Sequence, residues 1–476
     1  MTPEEFRKAG HALIDWIAEF RSQLADHPVQ SRVGPGEVRA VFPSQPPTEP
    51  IDFEQLIAEL EQRVVPGLTN MGHPGFHGFF PANAGLASLL GDLASGGLGA
   101  LGISWQASPA LTEVEEVMCD WMRQLVGLSE QWRGTIVDTA STASLLALLC
   151  AREKASDYSF EAGGLQGMAA PLTVYTSQYS HFSAGKAAWL AGYGKANLRL
   201  VGVEPQTFAL DPELLAEAIS QDIAEGRRPA AVIATVGTTT STALDPVRAI
   251  VEVAGANGMW VHVDAALAGS AMLLPECRWM WDGIEGVDSI SWNPHKWMGT
   301  VFDCSLFYVR DPELLVRVMG TQSSYLPGGA AESVTQYRNW GIPLGRRFRA
   351  LKLWFQLALD GLPAIQARLR RDLVNAQWLR DQIQVTPGWR VLAPVPLQTV
   401  CVRHEPEGLT GAELDAHTLA WVEAVNRSGK AFLTPAQLDS RWMARVSIGG
   451  ESTEQSHLEA TWAVMQQCAT SGLGAS

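Results

Sequence analysis

Nothing in this sequence is spaced to grip a metal or to build a disulfide framework. Six cysteines (Cys119, Cys150, Cys277, Cys304, Cys401 and Cys468) are spread over 476 residues without a CxxC pair. Scattered thiols of this kind read as the reduced cysteines of a cytosolic protein. Cations are in the minority: 35 Lys and Arg against 50 Asp and Glu give a formal net charge of -15. That balance argues against nucleic acid or an anionic membrane as a partner. The opening MTPEEFRKAGHALIDWIAEF lacks the basic and apolar regions of a secretory signal. The longest apolar stretch, residues 86–105, is interrupted by Asp92 and five glycines, too broken for a membrane span. Repeats and low-complexity tracts are missing too. What remains is an enzyme-sized globular chain with room for one large core and one or two smaller domains, expected in the cytoplasm.

The first segment is amphipathic, with Phe6, Leu13, Ile17 and Phe20 at helical spacing behind a Thr2–Glu5 capping box. A Pro-rich connector, VFPSQPPTEP (41–50), leads to a second helix from Phe53 to Val65, ended by Pro66-Gly67. The middle of the chain alternates β-branched runs with helical patterns: LTVYTS (172–177) then 182–191, AAVIATV (230–236) then 246–256, MWVHVD (259–264), VDSISW (287–292) and CSLFYV (304–309). Such alternation predicts an α/β fold whose sheet is mostly parallel, with ligands at the carboxyl ends of its strands. From about residue 346 the pattern changes to a helix over 347–360, a break at Gly361–Pro363 and a second helix. Two short strands, a helix capped by Thr410–Glu413, and strands near 431–434 and 443–448 follow. The expected domains are a helical arm over 1–85, a large domain over 86–350 and a small α+β domain over 351–476.

SWNPHKWMGTVFDCSLFYVRD (291–311) sets Lys296 between His295 and Trp297, ahead of an apolar run. An amine there loses solvation and tends to a lower pKa, as a Schiff-base lysine requires. A lysine snorkelling at the end of a buried strand would look the same. VHVDAALAGSA (261–271) ends an apolar strand on Asp264, which suits either a ligand-facing carboxylate or a helix N-cap. In VDTASTASLLALLCARE (137–153), Thr139, Ala140 and Ser141 precede an Ala/Leu helix, forming an anion site or an ordinary cap. His181 follows a strand in SQYSHFSAG (177–185), where a lone histidine is more often structural. ATVGTTTSTALDP (234–246) turns at the same sheet edge. Together these supply an anion site, an aromatic stacking partner, a carboxylate and an amine, the set pyridoxal phosphate needs. Two other patterns carry little. GLGALG (97–102) fits GxGxxG but follows a helical pattern rather than a strand, and Pro74-Gly75 in HPGFH (73–77) breaks the helix face a metal site would need.

These residues resemble the group II pyridoxal-phosphate decarboxylases, in particular the aromatic-L-amino-acid decarboxylases, bacterial DOPA and tryptophan decarboxylases included. The resemblance runs through PGLTNMGHPGFHGFFPAN (66–83), GISWQASPALTEVE (102–115), DTASTASL (138–145), HVDAALAGSA (262–271), NPHKW (293–297), FDCS (302–305) and NWGIPLGRRFRALKLWF (339–355). It implies PLP fold type I and a homodimer, helped by the N-terminal arm, with the active site at the subunit interface. Lys296 would carry the cofactor as a Schiff base, Asp264 would pair with its ring nitrogen, and His181 would stack on the ring with Ala266 on the other face. Thr139, Ala140, Ser141 and Asn293 would hold the phosphate, with Thr238 and His295 nearby. The family's mobile loop carries a tyrosine matched by Tyr325 in SSYLPGGAAESV (323–334), which with His181 would help protonate Cα and marks a decarboxylase rather than an aldehyde-forming relative. The implied substrate wall is Met71, Phe79, Phe80, Ala82, Leu101, Ile103, Phe302 and Gly345, with positions 101 and 103 contributed by the neighbouring subunit. Met71, Phe79, Ala82 and Ile103 stand where animal aromatic enzymes have Trp, Tyr, Thr and Phe. Loss of hydroxyl partners at 79 and 82 weakens the case for a catechol. The expected reaction is decarboxylation of Trp, Phe, Tyr or DOPA to an arylalkylamine and CO2. The alternatives are a decarboxylase of another amino acid or an aminotransferase with Arg445 as its carboxylate clamp.

Overall fold

The computed structural model describes residues 1–320 and 334–471. Contacts divide it into two compact units: residues 82–380 with 391–401, and residues 1–81 with 381–390 and 402–476.

The larger unit is built on a seven-stranded sheet. Its spatial order is Arg133–Val137, Ser305–Val309, Ser289–Trp292, Trp260–Asp264, Arg228–Thr235, Leu172–Ser177, Leu198–Val201. Five neighbouring strands pair in parallel, and Ser305–Val309 runs against both of its neighbours. The mostly parallel α/β sheet read from the strand–helix alternation is the observed one. Strands such as Leu172–Ser177 and Ser305–Val309 are buried at every position, as expected when helices cover both faces. The antiparallel strand has a simple cause. Parallel pairing needs a crossover, usually a helix, and the stretch 293–304 holds none. It is a reversing loop, and Lys296 sits in it.

Two antiparallel steps restore the direction, so Arg133–Val137 runs the same way as Ser289–Trp292. Val137 pairs with Ser305, and Trp292 pairs with Leu306. Next along the sheet, Asp264 pairs with Ser291 and with Thr235. The segments leaving Val137, Trp292, Asp264, Thr235 and Ser177 therefore all emerge on one edge.

The smaller unit holds most of a five-stranded sheet in the order Phe76–His77, Phe432–Leu438, Arg441–Ser447, Thr399–His404, Trp389–Val391. Helices Gly411–Ser428 and Gln455–Ser471 belong to the same unit. The parallel pairing of Phe76 with Phe432 gathers the chain's beginning and end into one body. The expected cuts at 85 and 350 follow the order of patterns along the chain, whereas compactness groups residues by contact. Residues 351–380 join the larger unit through bonds such as Gln356 Nε2 to the Met298 carbonyl, 2.9 Å. Helix Pro3–Ser22 has the expected capping box and buries none of its side chains, with Phe6 66% exposed. Thr410 caps its helix by position only, without a side-chain hydrogen bond.

Candidate active site

Strand Ser289–Trp292 ends in Asn293, Pro294, His295 and Lys296. Lys296 is half-buried, and its carbonyl accepts from Asn83 Nδ2 at 3.2 Å. His295 is buried, and its Nδ1 accepts the Cys304 N–H at 3.0 Å. Burial first, then the adjacent Lys296 charge, pushes the His295 pKa down to about 4, so the ring is neutral at pH 7. Phe302 stands edge-on to it, ring centroids 4.9 Å apart at 64°, and is itself 59% exposed.

Asp264 closes its strand at 6% exposure. One oxygen accepts the Ala266 N–H at 3.0 Å and lies 3.4 Å from Ser291 Oγ. An ionised carboxylate has about four acceptor sites, so acceptor capacity remains unspent among the described residues. His181 is the N-cap of Phe182–Leu190. Its Nδ1 accepts the Ser183 N–H at 3.3 Å and lies 2.7 Å from Ser183 Oγ. An acceptor Nδ1 leaves the neutral ring's proton on Nε2. Burial lowers the His181 pKa; the Asp264 charge opposes that shift and the Lys296 charge adds to it, so the three side chains share one electrostatic neighbourhood.

Strand Arg133–Val137 delivers Thr139, the N-cap of Ala140–Ala155, whose side chain makes no capping bond. Thr139 is half-buried, Ala140 buried and Ser141 exposed. Asn293, whose N–H donates to the Ala266 carbonyl at 3.1 Å, keeps its Oδ1 buried and without a hydrogen-bond partner among the described residues. Thr238 is wholly buried and turned into its own loop, where Oγ1 accepts the Ala243 N–H at 3.0 Å.

Of the expected wall residues, Ala82, Leu101, Ile103, Phe302 and Gly345 belong to the larger unit, and Met71, Phe79 and Phe80 belong to the smaller. A Cβ built on Gly345 would meet Leu101 Cδ1 at 3.4 Å, so that glycine keeps space beside Leu101. Phe79 takes a left-handed backbone, φ 48°, its N–H bonded to Thr434 Oγ1 at 2.7 Å and its carbonyl to Arg445 Nη1 at 3.3 Å. The Arg445 guanidinium also lies 5.0 Å from the centre of the Phe80 ring. Tyr325 lies outside the described residues.

Residues 35–405 match the model of the pyridoxal-dependent decarboxylase conserved domain. The chain belongs to that family. It is 36% identical to phenylacetaldehyde synthase of Arabidopsis thaliana over 98% of its own length and 96% of that protein's. It is 35% identical to tryptophan decarboxylase 2 of Oryza sativa subsp. japonica, covering 100% and 96% of the two chains. Among solved structures, Oryza sativa TDC with PLP and tryptamine superposes with a TM-score of 0.96 at 34% identity, covering 99% of both chains.

The residues of this pyridoxal-dependent decarboxylase fit its cofactor. A helix N-terminus without a side-chain cap leaves N–H groups for a phosphate. The unspent acceptors of Asp264 have a polar donor still to find. Sequence reasoning left one nearby arrangement unassigned. Arg346 bonds Glu115 through both terminal nitrogens, at 2.9 and 2.6 Å, and reaches Thr135 Oγ1 and the Ile136 carbonyl at 3.0 and 2.9 Å. Glu115 also accepts the Ile136 N–H at 2.8 Å. This buried pair braces the strand that delivers Thr139. Both residues fall in quoted motifs, but with Glu116 beside Glu115 and Arg347 beside Arg346 nothing local pointed to their pairing.

Proposed function

We propose that this pyridoxal-dependent decarboxylase converts aromatic L-amino acids (Trp, Phe, Tyr or DOPA) into the corresponding arylalkylamines and CO2 in the cytoplasm. The observation that carries the reading is the meeting of Lys296, Asp264 and His181 at one sheet edge beside an uncapped helix N-terminus. The wall positions 71, 79, 82, 101, 103 and 302 are Met, Phe, Ala, Leu, Ile and Phe, which offer apolar surface and no cation for an acidic substrate. Bound pyridoxal phosphate supplies an electron sink for the pair left behind when the Cα–carboxylate bond breaks. Thr139, Ala140, Ser141 and Asn293, the last through Nδ2, would hold its phosphate and Asp264 the proton on its ring nitrogen. Lys296 Nζ would anchor it and yield to the substrate amine. His181, with its proton on Nε2, would lie against the ring opposite Ala266 and, with Tyr325, return a proton to Cα. Neutral His295 adds no second positive charge beside Lys296.

Leu86, Leu90, Leu93, Leu98 and Leu101 are all exposed on one helix and its exit, an apolar face that supports a homodimer in which Leu101 and Ile103 of the partner subunit complete each site. Arg445, the carboxylate clamp an aminotransferase would need, donates from Nη1 to the Phe79 carbonyl at 3.3 Å and lies 5.0 Å from the centre of the Phe80 ring.

Product analysis on the four amino acids is the test: amine and CO2 in equal amounts support the proposal, and absence of CO2 sinks it. Tyr325→Phe should divert turnover toward aldehyde, ammonia and hydrogen peroxide with consumption of O2. Unchanged amine yield without aldehyde would remove Tyr325 from the mechanism.

A further inference from the structure

The loop that carries Lys296 has almost no regular structure, yet its carbonyls are held from outside one after another. Lys296 accepts from Asn83 Nδ2 at 3.2 Å, Met298 from Gln356 Nε2 at 2.9 Å and Gly299 from the Gly85 N–H at 3.0 Å. The tightest grip comes from two residues one turn apart on helix Leu362–Val385. Arg368 Nη2 donates to the carbonyls of both Trp297 and Met298, each at 2.7 Å. Asp372 Oδ2 accepts the Trp297 indole N–H at 2.9 Å. Arg368 Nη1 lies 3.9 Å from Asp372 Oδ2, and Arg371 Nη2 lies 3.4 Å from Asp372 Oδ1.

Asp372 is completely buried, as is the indole it holds. The helix needs no charge there for its own stability: an apolar side chain of similar size in such a position is often as stabilising as a buried ion pair. What a carboxylate adds is direction. It fixes the indole and thereby the peptide unit that follows Lys296, while the arginine fork fixes the two carbonyls on its other side. A lysine stem has four freely rotating carbons, so the precision of Nζ depends on how firmly its backbone is placed. Misplacement of a reacting group by about 1 Å can cost about a hundredfold in rate.

We propose that Arg368 and Asp372 form a clamp on Trp297 and Met298 that positions Lys296 for covalent capture of pyridoxal phosphate. This rests on the reading of Lys296 as the attachment point. The covalent step joins Lys296 Nζ to the aldehyde carbon with loss of water, and borohydride reduces the resulting C=N bond to a stable secondary amine.

The test mixes cofactor-free protein with pyridoxal phosphate and follows the rise of visible absorbance, then traps with borohydride and locates the modified residue by peptide mass. Trp297→Phe and Arg368→Met are expected to slow capture by about tenfold or more, the scale for losing hydrogen bonds that involve a charged group. Each change takes one partner from the buried Asp372 carboxylate, so both cofactor-free melting temperatures should fall, and capture is compared at a temperature where far-UV circular dichroism shows each variant folded. Asp372→Asn keeps an oxygen for the indole and should capture within about threefold of wild type, unlike Asp372→Leu. Should Arg368→Met fail to fold, Arg368→Lys is read in its place, since an ammonium lacks the planar fork and should also be slow. Wild-type capture rates in Trp297→Phe and in the folded arginine variant overturn the clamp. A wild-type chain that captures no pyridoxal phosphate sinks the functional reading itself, and the clamp with it.

Discussion

Among the described residues, Asp264 has spent only part of its acceptor capacity, on the Ala266 N–H at 3.0 Å and Ser291 Oγ at 3.4 Å, although it is only 6% exposed. Burying a carboxylate is costly without partners, and the protonated ring nitrogen proposed for this site would supply one. Asp264→Ala should therefore lower kcat by at least about a thousandfold, the upper range for removing one preorganised electrostatic group. Stopped-flow measurement of CO2 release checks this, and near-normal turnover would remove Asp264 from the mechanism. Asp264, Lys296 and His181 were legible in the sequence because each follows a β-branched run, and strand ends in a parallel sheet share an edge. Asp372 was not legible: 76 positions separate it from Lys296 in the sequence, and only the packing of its helix brings it to the Trp297 indole.

Among the elements, the central strands and their helices follow the sequence expectation to within one or two residues. Strands Arg133–Val137 and Leu198–Val201 and helix Pro212–Ala224 were not read from the sequence, and two further features escaped it. The reversal at Ser305–Val309 depends on the absence of a helix in 293–304, and an apolar run reads alike in either direction. The brace on Arg133–Val137 depends on Glu115 and Arg346 meeting across 231 positions. Their side chains are 1% and 8% exposed, so removing one partner strands the other's charge. Arg346→Met should cost about 3–5 kcal/mol of unfolding free energy, whereas the double variant Glu115→Gln/Arg346→Met should lose less than the sum of its singles. Urea unfolding of the cofactor-free variants measures both. Additive losses would mean that the two residues act separately.

Over the whole molecule, acid acts through buried groups of opposite sign. His262 joins helix Ala140–Ala155 to the sheet, with Nε2 3.4 Å from Ser144 Oγ and Nδ1 2.9 Å from Ser289 Oγ. Burial lowers its pKa from 6.5 to about 4. An unfolded histidine takes a proton at higher pH than this folded one. The stability it contributes is therefore present above pH 6.5 and is lost as pH falls toward 4, by about 3 kcal/mol at the lower end. Asp245 and Asp372 work the other way: burial raises each from 3.8 to about 6, so their contribution is present below 3.8 and lost as pH rises through 6. Total stability thus mixes the two signs, and only a difference isolates the histidine. The loss on passing from pH 7 to pH 4 should be smaller in His262→Gln than in wild type by about the same 3 kcal/mol, read from urea midpoints of cofactor-free protein. Identical pH slopes would place the acid sensitivity elsewhere.

The same scale decides the assembly. If Leu101 of the partner subunit completes each site, Lys296→Ala and Leu101→Asp chains should both be nearly inactive as homodimers. After mixing and subunit exchange, a heterodimer would own one intact site, formed by the native Lys296 of one chain and the native Leu101 of the other, and one doubly defective site. Random exchange at equal amounts makes about half the dimers hybrid, so about a quarter of wild-type activity per subunit should return. Were Leu101 to serve the Lys296 of its own chain, every hybrid site would carry one defect and the mixture would stay dead. Titrating the ratio of the two variants while following CO2 release separates these arrangements, because only sites shared between subunits give a maximum at equal amounts.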